Sequence, residues 1–188
     1  MAASPITYVR HAMAVQEESV HPTAWRLDAR GRSEAAALAE RLDVAPSIGA
    51  LVASTEPKAR ETAEAIGHHW HAAIVADERL REASRPWVGP GYRAVVHRYL
   101  RGQLPAGWEP HDEVAARVGA AVDDATRAAD GRPVVVVSHG LALALHLGQV
   151  LGDGFDRESF WSSLSFPDAW VLDEAGTLQR PATGIATL

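Results

Sequence analysis

The residues most able to do chemistry in this chain close three short apolar runs. Arg10-His11 ends the run Ile6 to Val9, and Ser138-His139-Gly140 ends the run of valines from Val134 to Val137. Ser54 ends the run Ala50 to Ala53, with Lys58 four residues further on. Arginine, lysine, histidine and serine at such places are able to bind or attack phosphate. In open α/β sheets ligands bind at the carboxyl ends of the strands. The second and third of these ends run straight into predicted helices, where free N–H groups and the helix dipole favour an anion.

The elements that must carry these residues follow from pattern. Ile6–Val9 and Ala50–Ala53 read as strands, and Ala73–Val75 as a further short one. The four consecutive valines mark a strand buried on both faces. Ala35, Leu38, Ala39 and Leu42 recur at helical spacing, predicting a helix over Gly31–Leu42. Ser54-Thr55 offer capping hydroxyls and Pro57 suits the first turn of a helix reaching about His68. Helices are also predicted over Tyr92–Leu100, Asp112–Ala129 and Leu141–Leu151, with Asp130-Gly131 ending the third. Ser162–Phe166 and Ala169–Leu172 read as a terminal hairpin around Pro167-Asp168. Alternation of strands and helices predicts a three-layer α/β/α fold with a mostly parallel central sheet. The 188 residues suit one domain, in which the Pro- and Gly-rich stretch 83–110 is expected to form a covering insertion.

Composition narrows the partners. A net charge of -6 gives no overall field attractive to nucleic acid, so an anionic substrate needs a local basic cluster. The absence of cysteine excludes disulfides, thiolate metal sites and cysteine nucleophiles, and is compatible with a cytoplasmic protein. Met1–Thr7 has no signal-peptide pattern, and no apolar run approaches the ~20 residues of a membrane span. His68-His69-Trp70-His71 lacks the carboxylate or second histidine pair of a known metal spacing, so no metal or cofactor is expected.

Five segments together resemble the histidine phosphatase superfamily. Tyr8-Val9-Arg10-His11-Ala12 is similar to its Arg-His-Gly signature. Leu27-Asp28-Ala29-Arg30-Gly31, with Glu34-Ala35, resembles its Leu-Thr-x-x-Gly-x-x-Gln-Ala segment. Ser54-Thr55-Glu56-Pro57-Lys58-Ala59-Arg60-Glu61-Thr62-Ala63 resembles its Ser-x-x-x-Arg-Ala-x-x-Thr-Ala helix start. Leu80-Arg81-Glu82 resembles the Leu-x-Glu that carries its acid, and Val134–Gly140 its strand ending in Ser-His-Gly. The matches fall in family order over residues 6–151.

The resemblance implies a metal-independent phosphatase acting on a small phosphorylated substrate. It makes His11 the nucleophile that takes the phosphoryl group as a phosphohistidine. It implies Arg10, Lys58, His139 and Gly140 as phosphate-binding residues, with protonated His139 donating to a phosphoryl oxygen, and Glu82 as general acid. Lys58 stands where the family has arginine, a point charge in place of a bidentate fork. Arg60, the rival, points about 200° away around a helix, and Glu78 is the rival of Glu82. Ala12 replaces the usual glycine, and Met13–Glu17 lack the residues common in mutase-like relatives. A mutase-like phosphotransferase, a protein-phosphohistidine phosphatase and a non-catalytic phosphate-ester-binding module remain alternatives. Trp87, Tyr92, His97 and Trp108 either line a lid or pack the 83–110 segment down. Arg79, Arg81, Arg85 and Arg93 either hold a second anionic group or lie on the surface.

Overall fold

The computed structural model describes residues 4–42 and 48–181. Six strands form one sheet: β1 (Ile6–Arg10), β2 (Ala50–Ser54), β3 (Ile74–Asp77), β4 (Val134–Ser138), β5 (Asp168–Leu172) and β6 (Leu178–Gln179). Their order is β3-β2-β4-β1-β5-β6. The first four are mutually parallel, and β5 and β6 are added antiparallel at one edge. The helices are α1 (Ala29–Arg41), α2 (Pro57–Trp70), α3 (Tyr92–Leu100), α4 (His111–Ala129), α5 (Gly140–Leu151) and α6 (Arg157–Ser163).

The valine strand shows why the sheet is sandwiched. Successive side chains of a strand point to opposite faces. Val134 and Val136 pack with residues of α3 to α6, while Val135 and Val137 pack with Leu38 and Ala39 of α1 and with Ala59, Ala63 and Ile66 of α2. All four valines are inaccessible to solvent, and each such burial contributes roughly 1.5–3 kcal/mol. The expected α/β/α layering is therefore present, with α1 and α2 on one face and α3 to α6 on the other.

Helix starts follow local chemistry. The Asp28 side chain accepts the Gly31 N–H and caps α1. Asp130 adopts a left-handed conformation after α4, as the Asp-Gly pair predicts. Two expectations need correction. The residue before α2 is Glu56 rather than Ser54 or Thr55. The Ser54 hydroxyl accepts the Glu56 N–H and faces His139, so it is not free to cap the helix. The terminal hairpin joins β5 to β6 through Asp173 and Thr177, and Ser162–Phe166 is no strand. Instead Asp156 caps the short helix α6 by accepting the Glu158 and Ser159 N–H groups, which spends residues up to Ser163 on helix.

Candidate active site

β1 and β4 are adjacent and in register, with Arg10 opposite Ser138. The residues that follow them, His11 and His139, therefore emerge side by side. The His11 N–H still donates to the Ser138 carbonyl at 3.1 Å, and the two imidazole centroids are 5.1 Å apart. His11 is 7% exposed. Its Nδ1 lies 2.7 Å from the Ala12 carbonyl oxygen. A carbonyl only accepts, so Nδ1 carries the proton and Nε2 keeps its lone pair. Burial, reinforced by His139, Lys58 and Arg10, holds the His11 pKa well below the ordinary histidine value, so the ring is neutral at pH 7.

Ala12 is fully buried, and its N–H donates to Thr62 Oγ1 at 3.0 Å. That hydroxyl donates to the Lys58 carbonyl at 2.8 Å, tying the loop to α2. Among the described non-glycine residues, positive φ occurs at His71 and Asp130 only, so Ala12 needs no conformation reserved for glycine.

Arg10 donates from Nη1 to the Leu164 carbonyl at 3.0 Å, and its guanidinium lies 3.5 Å above the Phe166 ring. Burial pushes its pKa down to about 10, against the pull of Glu82, Tyr92 and Asp168, so it remains charged at neutral pH. Gly140 packs closely against this guanidinium. A Cβ there would sit 3.4 Å from Arg10 Cζ and 3.1 Å from Trp161 Nε1.

His139 is fully buried, its Nε2 2.8 Å from Ser54 Oγ. Its Nδ1 is buried without a hydrogen-bond partner. Burial, with Lys58, Arg85, Arg117 and Arg10 nearby, holds its pKa well below the ordinary value. Its Nε2 also lies 3.8 Å from Glu56 Oε1, the one carboxylate set against these cations.

Lys58 points inward, 6% exposed, whereas Arg60 pairs with Glu64 at 3.8 Å on the exposed face of α2. Lys58 Nζ donates to the Pro22 carbonyl at 2.8 Å and pairs with the Glu56 carboxylate. Glu56 was not foreseen as a site residue. It is 6% exposed, and its second oxygen accepts the Glu82 N–H at 2.9 Å.

Glu82, not Glu78, faces the site. Its carboxylate accepts the N–H groups of Ala83 at 3.0 Å, Ala142 at 2.9 Å and Leu141 at 3.3 Å. The N-terminus of α5, expected to greet the substrate, is therefore occupied by this side chain. Arg117 of α4 positions the segment: it donates to the carbonyls of Arg79, Arg81 and Glu82 while paired with Glu109 at 2.7 Å.

Part of this group borders a cavity of about 290 Å³, while His139 lies behind its wall. Arg10, His11, Lys58, Glu56 and Glu82 line it on the side of the strand ends. Met13, Gln16, His21 and Trp25 border it from the loop after β1, and Ser84, Arg85, Trp87 and Tyr92 from the stretch before and at the start of α3. Trp25 and Trp87 meet edge to face with centroids 5.4 Å apart. The open question over the 83–110 aromatics divides. Trp87 and Tyr92 line the cavity, Trp108 is buried behind Tyr92, and His97 pairs with Glu158 at 2.8 Å. Arg81 and Arg85 line the cavity, while Arg79 pairs with Asp77 and Asp124. Single positions in an irregular stretch gave no sequence signal for this.

Among the described residues no group of three or more His, Asp or Glu side chains is placed to hold a metal ion. No described helix is long and apolar enough to cross a membrane.

Residues 6–164 match the histidine phosphatase superfamily (branch 1). An uncharacterized protein of Mycobacterium tuberculosis is 36% identical over 126 residues, a match covering 62% of each chain and so under two thirds of that relative's length. The probable phosphoglycerate mutase GpmB of Escherichia coli is 26% identical over 181 residues, 82% of each chain. The fold is similar to that of the mycobacterial glucosyl-3-phosphoglycerate phosphatase, with a TM-score of 0.74 at 22% identity over 95% of this chain and 97% of the other. It is also similar to that of the phosphoserine phosphatase of Entamoeba histolytica, with a TM-score of 0.72 at 13% identity over 98% and 100%.

Proposed function

The chain belongs to the histidine phosphatase superfamily (branch 1), and from that premise we propose that it hydrolyses a small phosphate monoester, without a metal, through a phosphohistidine on His11. The observation that carries this reading is the state of His11. Its Nδ1–H is committed to the Ala12 carbonyl, its ring is neutral, and its free Nε2 lies in a cavity shared with Arg10 and Lys58.

In the reading proposed, Arg10 and Lys58 neutralise the phosphoryl oxygens, and the unpartnered Nδ1 of His139 donates to one of them as a neutral imidazole. Nε2 of His11 attacks phosphorus in line, the P–N bond forms and the ester P–O bond breaks. Glu82 enters this step as the carboxylic acid, gives its proton to the departing oxygen and becomes the carboxylate. Water then attacks the phosphohistidine, Glu82 takes its proton, and phosphate leaves with neutral His11 restored. Gly140 serves by leaving room for the Arg10 guanidinium. The stretch 83–110 serves as the cover of a single catalytic domain. The names of the relatives agree in chemistry, since the glucosyl-3-phosphoglycerate and phosphoserine phosphatases act on phosphate monoesters. The cavity of about 290 Å³, bordered by Trp25 and Trp87, favours a small substrate over a protein phosphohistidine.

The test is hydrolysis of a generic aryl phosphate, with EDTA present, by the protein and by His11→Ala. The expected result is turnover that survives EDTA and falls by at least about a thousandfold in the variant. Equal turnover by both proteins would overturn the assignment of His11. Phosphoryl transfer to an added acceptor in preference to water would indicate a mutase-like enzyme instead.

A further inference from the structure

Lys58 stands where the family has an arginine, yet its charge is already claimed. Its ammonium has three N–H groups. One donates to the Pro22 carbonyl at 2.8 Å and a second to the Glu56 carboxylate. Among the described residues these are its hydrogen-bond partners, so a single N–H is left for a phosphoryl oxygen. Donors on one nitrogen diverge tetrahedrally, so an oxygen accepting the third bond lies roughly 4–5 Å from the Glu56 oxygen that accepts the second. The Glu56 and Lys58 side chains are 6% and 7% exposed, so water and salt screen little between them. A phosphate dianion and the Glu56 carboxylate must therefore share one ammonium at close range. Like charges confined to one buried site favour protonation of one of them.

The other titratable groups around Glu56 are held differently. Its Oε1 lies 3.8 Å from His139 Nε2, which is itself 2.8 Å from Ser54 Oγ. Arg10 and His11 at the end of β1, and Arg81, Glu82, Arg85 and Tyr92 beyond β3, line the same cavity. Arg81 pairs with Glu109 at 3.4 Å, Arg85 donates to the Tyr92 hydroxyl at 2.8 Å, and Arg10 donates to the Leu164 carbonyl. The Glu82 carboxylate rests on the N–H groups of Ala83, Leu141 and Ala142, which a ligand does not take away. The cation that holds Glu56 is the one the phosphate also needs.

We propose that Glu56 takes up a proton from solvent as the phosphate group binds, so that the site receives a dianion and one proton together. The proposal rests on the phosphate-binding part of the reading above. In balance, the carboxylate and one proton become a carboxylic acid, and the Lys58 charge passes to the phosphoryl oxygens. No bond to phosphorus forms or breaks in this step.

The test is calorimetry of sulfate, a dianion that carries no proton of its own at neutral pH, titrated into the protein in two buffers of different ionisation enthalpy. Glu56→Gln keeps an acceptor for the Glu82 N–H and removes the proton site. Proton uptake near pH 7 should fall by about one per sulfate in Glu56→Gln. From pH 7 to 8 the affinity of the unsubstituted protein for sulfate should drop by up to about tenfold, and that of Glu56→Gln should hold steady. Equal uptake and equal pH dependence in the two proteins would overturn the proposal. Infrared difference spectra decide the matter even if Glu56→Gln fails to fold. Sulfate should bring in a protonated-carboxyl band in the unsubstituted protein, and Glu82→Gln should retain it. Absence of the band, or its loss in Glu82→Gln, would also overturn the proposal. No binding of sulfate would remove the phosphate site and the proposal with it. Glu56-dependent uptake in a protein that hydrolyses no aryl phosphate would keep the proposal and remove the phosphatase. Turnover without such uptake would do the reverse.

Discussion

Glu56, just before α2, and Lys58, in its first turn, form an ion pair whose side chains are only 6% and 7% exposed. The same carboxylate holds the backbone of Glu82 through its second oxygen. A lysine in place of the family arginine thus comes with its own counter-ion, and that counter-ion also braces the proposed acid.

Removing either member should leave the other charge buried and unpaired. Glu56→Ala and Lys58→Met are each expected to destabilise the fold by about 3–5 kcal/mol. The double variant should lose less than the sum, with a coupling of roughly 0.5–3 kcal/mol. Urea denaturation of the four proteins measures this, and additive losses would show that the pair is not coupled.

His11 and His139 are held neutral mainly by burial. Their protonation midpoints should therefore lie below 6.5. Nitrogen-15 NMR of the imidazoles should show both rings still neutral at pH 6, with His11 protonated at Nδ1. A midpoint at or above 6.5 for His11 would contradict the geometry described.

Behind the sheet, His146 bonds to the Tyr8 hydroxyl at 3.0 Å, and burial lowers its pKa to about 4. The unfolded chain binds this proton near pH 6.5 and the folded chain near 4. The contribution to stability is thus complete above 6.5 and is lost as pH falls toward 4, for about 3 kcal/mol in all. His146→Gln should flatten the stability profile between pH 6 and 4.5 by up to ~1.4 kcal/mol per pH unit. An unchanged slope would mean that this ring does not take part.

Gly31 carries a packing requirement. A Cβ there would lie 2.1 Å from the Met13 carbonyl oxygen, in the loop that follows His11. Gly31→Ala should force α1 and that loop apart, costing about 1–3 kcal/mol and lowering aryl phosphate turnover as well. Thermal unfolding and kinetics together test this, and loss of neither would remove the inferred link.

The strand ends were legible because each joins an apolar run to polar residues within two positions, as at Val9-Arg10-His11 and Val137-Ser138-His139. The helix α1 was legible by its period, in Ala35, Leu38, Ala39 and Leu42. The helix α6 was not, since its two large apolar residues, Phe160 and Trp161, are consecutive and show no helical spacing. Glu56 was hidden for another reason. Its role comes from partners far along the chain, which no local pattern records.

The one-to-one pairing of β1 with β4 has a wider consequence. The spacing of the two imidazoles is inherited from the backbone ladder and not from loop conformation, so a slip of one residue would bring Arg10 beside His139 and turn every side chain of β1 to the opposite face. Chemistry and selectivity are thus written in separable parts of the chain. The ladder tolerates little drift, while the stretch bearing Arg85, Trp87 and Tyr92 is free to diverge toward new molecules without dismantling the reactive pair.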